Sequence, residues 1–540
     1  MTAAPARLPT ARGAHLALLA ACGLPLLVLL LCFVWPVAAM LVRGLDSAAL
    51  DVLTEARTWR ITAVTLGLAL AGTTASVLLG VPGAWVLYVA RLPGQRLLRA
   101  LATIPFVLPT VVVGIAFRFL LGHGGPYAGL GLDGSPVAIV AAMVFFNFSV
   151  VVRTVGAMWA NLDPRMADAA LMLGARPARV FFTVTLPALQ GAIASAASLV
   201  FLFCASAYGI VMTLGGLSTL ESEIWAQSHL LDFDTAAGLS LVQFVIVALA
   251  LGLSARAGRS TPQCLRQVRP RRLRPAQLPA VLLTLLVLLG LIVAPMLTLV
   301  LRSLRQGGQW TLDNYRLLAG TGRGFSGGTT VLEALQNSLQ TATLATLLAL
   351  AVGIPLALAL SRPLRQPRAR RAQLLLEGLA MAPLGVSAVT LGFGMLISLQ
   401  APPLRLGSVL VPVAQAMVAM PMVLRALLPV LRAINPRLRD AALLLGASPA
   451  RVLLTVDLPL ARRGLGLAAG FAFAMSLGEF GAASFLATGN DITLPVLIAR
   501  LLGRPGSANY GMAMAASVIL GLVTALVMAL CENRKTEHVA

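Results

Sequence analysis

Lysine is all but absent from this sequence: of 41 basic residues, every one except Lys535 is arginine. A phosphate-binding loop of the form G-x-x-x-x-G-K-[ST] needs a lysine to reach the β- and γ-phosphates, so the chain does not read as a P-loop ATPase. Schiff-base chemistry through a buried lysine is excluded on the same ground. Acidic residues are scarce too, 19 in 540, and only 11% of the chain is charged. Soluble domains carry about 25%. The five cysteines (Cys22, Cys32, Cys204, Cys264 and Cys531) and four histidines (His15, His123, His229 and His538) are scattered. Without C-x-x-C spacing or clustered histidines, a zinc or redox site has no support. A membrane-embedded enzyme would need a nucleophile with its base, or a metal cluster, and neither is evident.

What is present is apolar: 58% of residues are hydrophobic and the mean hydropathy is +0.89. The expected fold is an all-α integral membrane protein. A helix needs about 20 mostly apolar residues to cross the hydrocarbon core. Such runs occur at 15–42, 61–90, 134–152, 235–255, 275–301, 335–361, 378–404, 406–424 and 505–531. Three more are interrupted or compound: 100–121 by Arg118, 464–486 by Glu479, and the long run 180–220, which holds one span and a re-entrant portion. About twelve transmembrane helices are therefore predicted. The first run follows Arg7 and Arg12 but is too long for the h-region of a signal peptide, and is read as an uncleaved span.

The net charge of +22 does not indicate a nucleic-acid partner, because the arginines lie between apolar runs rather than on one solvated face. Their placement fits contact with membrane lipid and gives orientation, since basic loops stay on the cytoplasmic side. Arg91, Arg96 and Arg99 follow the second span, seven arginines lie between Arg256 and Arg274, and Arg362, Arg365, Arg368, Arg370 and Arg371 follow the eighth. Both termini are expected in the cytoplasm. The loop after the fifth span carries Glu221, Glu223, Asp232 and Asp234 without a basic residue, as an outside loop can.

The sequence repeats itself. Asp168–Pro187 reads DAALMLGARPARVFFTVTLP, and Asp440–Pro459, displaced by 272 residues, reads DAALLLGASPARVLLTVDLP, with fifteen of twenty positions identical. The same offset pairs Arg153 with Arg425 and Gly209 with Gly481. Six spans per half is an even number, so the two halves enter the membrane alike, as parallel repeats. The expected organisation is a first half at 1–255, a basic cytoplasmic linker at 256–279 and a second half at 280–540.

Both motif copies fall between the fourth and fifth spans of their half. Asp163 and Asn435 suit helix N-caps, Pro164 and Pro436 suit the first turn, and Gly174 and Gly446 suit a left-handed C-terminal residue. Met166, Ala169, Ala170 and Leu173, like Leu438, Ala441, Ala442 and Leu445, recur at three- and four-residue spacing, giving each short helix an apolar stripe. The plain alternative is packing beneath its own bundle. Retention of Asp-Ala-Ala in both copies favours docking into a partner's groove.

These residues resemble the cytoplasmic signature of permease subunits of ABC-type importers: E-A-A, three residues, G, nine residues, I-x-L-P. Asp168-Ala169-Ala170, Gly174 and Val184-x-Leu186-Pro187 follow it, as do Asp440-Ala441-Ala442, Gly446 and Val456-x-Leu458-Pro459, with Asp for Glu and Val for Ile. The resemblance implies a bacterial inner-membrane permease in which Asp168, Ala169, Ala170, Gly174 and Pro187, and Asp440, Ala441, Ala442, Gly446 and Pro459, couple to two copies of an ATP-binding subunit. It implies that ATP is bound by that partner, with no cofactor in this chain, and that a separate solute-binding protein delivers the substrate. Fused two-half permeases of this length resemble the thiamine and ferric-iron branch. Thr213-Leu214-Gly215-Gly216, the stretch Ser218–Ile224 and Ser476–Gly481 are similar to thiamine permeases, ahead of iron.

Glu479 interrupts an apolar run near the outer end of span eleven, where an ionisable residue is a functional candidate by default. It is read either as a pathway residue balancing a cationic substrate or as an interfacial residue in water. Its counterpart is Ala207. Arg118 is read as snorkelling to the outer headgroups. The four acids Glu221, Glu223, Asp232 and Asp234 are candidates for docking the binding protein, against a plain solvated loop. The rival function is an ion-coupled secondary transporter, which shares the two-half architecture.

Overall fold

The computed structural model describes residues 23–106, 108–257, 275–322, 328–362, 367–399, 406–489, 491–504 and 506–533. The N-terminal arginines, the start of the first span and most of the basic linker lie outside the described residues.

Helices dominate, as expected. The first half supplies α1 (Gly23–Gly44), α2 (Ala56–Tyr88), α3 (Gln95–Thr103), α4 (Thr110–Leu121), α5 (Pro136–Ala160), α6 (Arg165–Met172), α7 (Pro177–Ala205), α8 (Tyr208–Leu214), α9 (Leu220–His229) and α10 (Phe233–Ala257). The second supplies α11 (Leu278–Ser303), α12 (Val331–Ser361), α13 (Pro367–Met381), α14 (Ala388–Leu399), α15 (Leu410–Ala433), α16 (Pro436–Leu444), α17 (449–477), α18 (Ala483–Leu486), α19 (Leu494–Leu502) and α20 (Ser507–Asn533). The strands among the described residues are the two-residue arms of a hairpin pairing Arg305 with Trp310.

Nine of these helices are long and apolar enough to cross a membrane. The third, ninth and eleventh expected spans are not among them: 464–486 is interrupted between Leu477 and Ala483, and the other two are broken at prolines. Residues 100–121 divide between α3 and α4 at Pro105 and Pro109, and α13 meets α14 at 98° beyond Pro383. Proline removes a backbone donor and clashes with the preceding turn, so a helix rarely runs straight through. The 12-residue limbs α4 and α14 are only about 18 Å long, short of a bilayer of about 30 Å.

Contacts divide the chain into two compact units. One contains residues up to Met40, Leu335–Thr493 and the chain from Val523; the other contains Leu41–Ala334 and Leu494–Leu522. Each unit therefore includes the opening helix of the opposite sequence half. In the first unit α1 lies against α14, where a Cβ on Gly394 would come within 2.7 Å of the Pro36 carbonyl oxygen. In the second, α11 packs against α2 and α4.

Small residues set the closest helix contacts. Gly72, Ser76 and Gly80 recur every four residues along α2, and Ala345, Ala349 and Gly353 do so along α12. A Cβ on Gly80 would sit 2.7 Å from Val151, and one on Gly353 would sit 2.7 Å from Val423. Those valines are themselves 272 residues apart, so one backbone approach is built twice. Helix association in lipid depends on this kind of packing, since the surrounding tails are as apolar as leucine. Gly80→Ala and Gly353→Ala should each destabilise by about 1–3 kcal/mol through overpacking. Thermal unfolding in detergent should show lower midpoints for both, and no loss for Gly67→Ala, where nothing lies within 4 Å.

Candidate functional site

The two signature segments fold alike. The Asp163 carboxylate accepts from the Arg165 amide at 3.0 Å and the Asn435 side chain from the Arg437 amide at 3.0 Å, capping α6 and α16. Both helices end through the same pair of hydrogen bonds. Gly174 N–H donates to Leu171 O and Ala175 N–H to Ala170 O; Gly446 N–H donates to Leu443 O and Ala447 N–H to Ala442 O. The glycines hold φ of +82° and +81°, a left-handed conformation that favours glycine. The second alanine of each Asp-Ala-Ala thus supplies a carbonyl that closes its helix.

Neither helix buries a residue. Asp168 and Ala169 are exposed with Ala170 half-buried, and Asp440, Ala441 and Ala442 repeat the pattern. Met172 and Leu173 are each 89% exposed, and Leu444 and Leu445 are 83% and 88% exposed. Packing beneath the helix's own bundle does not account for these side chains. Within each motif a π-type segment, Phe181–Thr185 or Leu453–Asp457, lies inside the long helix α7 or α17. Pro187 and Pro459, exposed two residues further on, have no N–H to donate to the preceding turn.

Glu479 lies in the break after α17. It is 7% exposed, and its carboxylate accepts from the amides of Ala482 at 2.7 Å and Ala483 at 3.0 Å. The interfacial, water-facing reading is therefore replaced by a buried cap on α18. In the first half, a Cβ on Gly114 of α4 would collide with the Thr213 hydroxyl of α8. Arg118 donates to the Thr213 carbonyl at 3.3 Å, which ties it to the end of α8 rather than leaving it free among headgroups.

The four acids after the fifth span do not share one surface. Glu221 and Glu223 are buried on α9, Glu221 within 3.5 Å of Gln243 Nε2 and Glu223 paired with Arg57 at 2.8 Å. Asp232 caps α10 through the Thr235 amide, and Asp234 pairs with Arg43 at 2.8 Å. The sequence reading missed Asp457, which is fully buried between Arg439 and Arg362. Its signal was available, since it is the one position of the twenty at which the second copy gains an acid, in place of Thr185.

Residues 72–259 match the family described as binding-protein-dependent transport system inner membrane component. The molybdenum transport system permease protein ModB of Mycobacterium tuberculosis is 36% identical over 200 residues, covering 35% of this chain and 75% of ModB. This chain belongs to that permease family. The sulfate transport system permease protein CysT of Salmonella typhimurium is 32% identical over 213 residues, covering 37% of the chain and 76% of CysT. The thiamine transport system permease protein ThiP of Brucella suis is 29% identical over 496 residues, covering 88% of the chain and 87% of ThiP. Membership sets aside the ion-coupled carrier and makes the protein a multi-pass permease of an ABC-type importer.

Replacing Glu479 with Ala should leave the two amides at the start of α18 without an acceptor. A cost of about 1–3 kcal/mol is expected for such buried groups. Glu479→Gln keeps one acceptor oxygen and should lose less. Detergent unfolding of both variants checks the order.

Proposed function

We propose that this permease forms the membrane pathway of a thiamine importer and receives its driving force from two ATP-binding subunits seated on α6 and α16. The observation that carries the docking is the duplicated exposure of Met172-Leu173 and Leu444-Leu445, each pair held beside a left-handed glycine. Large apolar side chains of this kind are expected to fill a partner's groove. In this reading the basic loops, α6 and α16 face the cytoplasm, as do both termini, and a solute-binding protein delivers substrate from the other side.

Thiamine is favoured because the resemblance to ThiP extends over nearly the whole of both chains, whereas ModB and CysT, named for molybdenum and sulfate, match about a third of this one. Glu479, buried at the break in the second half, is the candidate pathway residue that would balance a cationic substrate. Docking of the binding protein by the acidic group falls to Asp232 and Asp234, the two on the surface.

Two experiments test the proposal. Serine in place of Met172, Leu173, Leu444 and Leu445 should abolish co-purification of the ATP-binding subunit while the permease stays in the membrane fraction. Leucine in place of both Gly174 and Gly446 should cost most of the uptake, because a side chain there strains the φ > 0 turn. Retained assembly and normal uptake would remove the docking argument. The purified complex, reconstituted with its binding protein, should take up thiamine with ATP; uptake of another solute alone would remove the substrate assignment.

A further inference from the structure

Several buried hydroxyls on the spans of this chain return to their own helix. Thr62 Oγ1 donates to Thr58 O, Ser76 Oγ to Gly72 O, Thr346 Oγ1 to Ala342 O and Ser517 Oγ to Ala513 O, four residues back in each case. Thr390 on α14 and Ser476 on α17 do not. Each is 1% exposed, and neither hydroxyl oxygen has a hydrogen-bond partner. The amide oxygen of Gln415 on α15, a residue 2% exposed, lacks one as well. A buried polar atom left without a partner is costly, and packing alone does not account for three of them.

The three residues lie on helices that meet. α15 packs against α14, α17 and α18, and α14 packs against α18. A Cβ on Gly464 of α17 would sit 3.1 Å from Val430 of α15. Ser476 lies twelve residues beyond Gly464 and Gln415 fifteen before Val430. The two helices run in opposite senses, so a rise of about 1.5 Å per residue brings both side chains to within about 5 Å in height. Glu479 follows three residues after Ser476. A Cβ on Gly481 would lie 3.3 Å from the Glu479 carboxylate and 3.2 Å from the amide nitrogen of Val389, the neighbour of Thr390. The repeat supplies the face. In the first half Met143, Cys204 and Ala207 line one cavity, together with Thr65, Thr219 and Glu221. A Cβ on Gly72 would lie 3.0 Å from the Cys204 sulfur and 3.2 Å from the Met143 sulfur. The 272 offset puts Gln415 at Met143, Ser476 at Cys204 and Glu479 at Ala207. Positions held by sulfur and methyl groups in one half carry an amide, a hydroxyl and a carboxylate in the other.

We propose that Gln415, Ser476 and Thr390 join Glu479 in a substrate-contacting surface of the second half, built for an organic cation that carries N–H donors. The inference rests on the reading of Glu479 as a pathway residue and deepens it. An amide oxygen only accepts hydrogen bonds, and a hydroxyl accepts through its lone pairs. A carboxylate has about four acceptor positions, more than the amides of Ala482 and Ala483 fill. Acceptors gathered about one negative charge suit a cation with hydrogens to donate, and the carboxylate repels an oxyanion such as sulfate. Thiamine carries a fixed positive charge and an exocyclic amine. The oxygens that the helices leave unmatched are satisfied by the substrate as it passes.

The test uses the complete complex with its ATP-binding subunit and binding protein in proteoliposomes, with thiamine as the probe. Gln415→Leu and Ser476→Ala should each lower the uptake rate at least fivefold at saturating loaded binding protein. Co-purification of the ATP-binding subunit should equal the parent's, and the detergent unfolding midpoint should be no lower, because each change removes a polar atom that the fold leaves unsatisfied. Uptake within twofold of the parent for either variant overturns the proposal. A loss of uptake matched by a lower midpoint is a structural effect, and a thiol probe then decides. Modification of Ser476→Cys by N-ethylmaleimide during ATP turnover, read at that peptide by mass spectrometry, should be slowed at least threefold by thiamine and not by sulfate. No modification at all, or an equal rate with and without thiamine, overturns the proposal. Failure of the parent complex to take up thiamine counts against the substrate assignment, whereas parent uptake that the variants leave unchanged counts against this surface alone.

Discussion

In hydrocarbon a backbone N–H or C=O has no water to turn to, and every interruption of a helix must find its partners within the protein. That constraint governs the structure wherever proline or glycine opens the chain. The end of α12 is closed by Gln373 and the end of α2 by Gln95 and Arg99. The start of α18 is closed by Glu479, and the Thr213 carbonyl is met by Arg118. The two charged residues that interrupt the apolar runs, Arg118 and Glu479, both meet broken backbone. Their rarity reflects the cost of bringing such groups to membrane depth.

Local chemistry made much of this legible. The capped surface helices follow from Asp163, Gly174, Asn435 and Gly446, because an N-cap and a left-handed turn involve only neighbours in sequence. The runs of apolar residues gave the straight spans by length alone. What escaped depends on distant partners. Glu221 and Glu223 read as surface acids, for docking or for a solvated loop, because nothing near them in sequence announces Arg57, 166 residues from Glu223. The interfacial alternative for Glu479 failed because the two amides it accepts from exist only once α17 has ended. The bend between α13 and α14 was marked by Pro383, yet apolar length outweighed the proline. The recurring small residues of α2 and α12 were visible as a pattern and were not used.

The repeat offers an internal comparison of function against packing. Contacts that recur, such as Gly80 with Val151 and Gly353 with Val423, report what the fold requires of either half. Surface features that recur without burying anything, the exposed pairs beside Gly174 and Gly446, are not explained by the fold and point outward to a partner. Features present in one half alone, such as Glu479 against Ala207 and Asp457 against Thr185, report division of labour.

That division has a genetic side. A permease assembled from two copies of one six-span chain must carry every residue twice, since identical subunits related by a twofold axis present identical surfaces. An acid that serves one half would then be imposed on the other, and a carboxylate at position 185 would be buried with Ala167 where Arg439 should stand. Joining both halves in a single chain lifts that restriction and fixes them at one to one. Asp457 is a residue that a permease of two identical chains could not keep to one side.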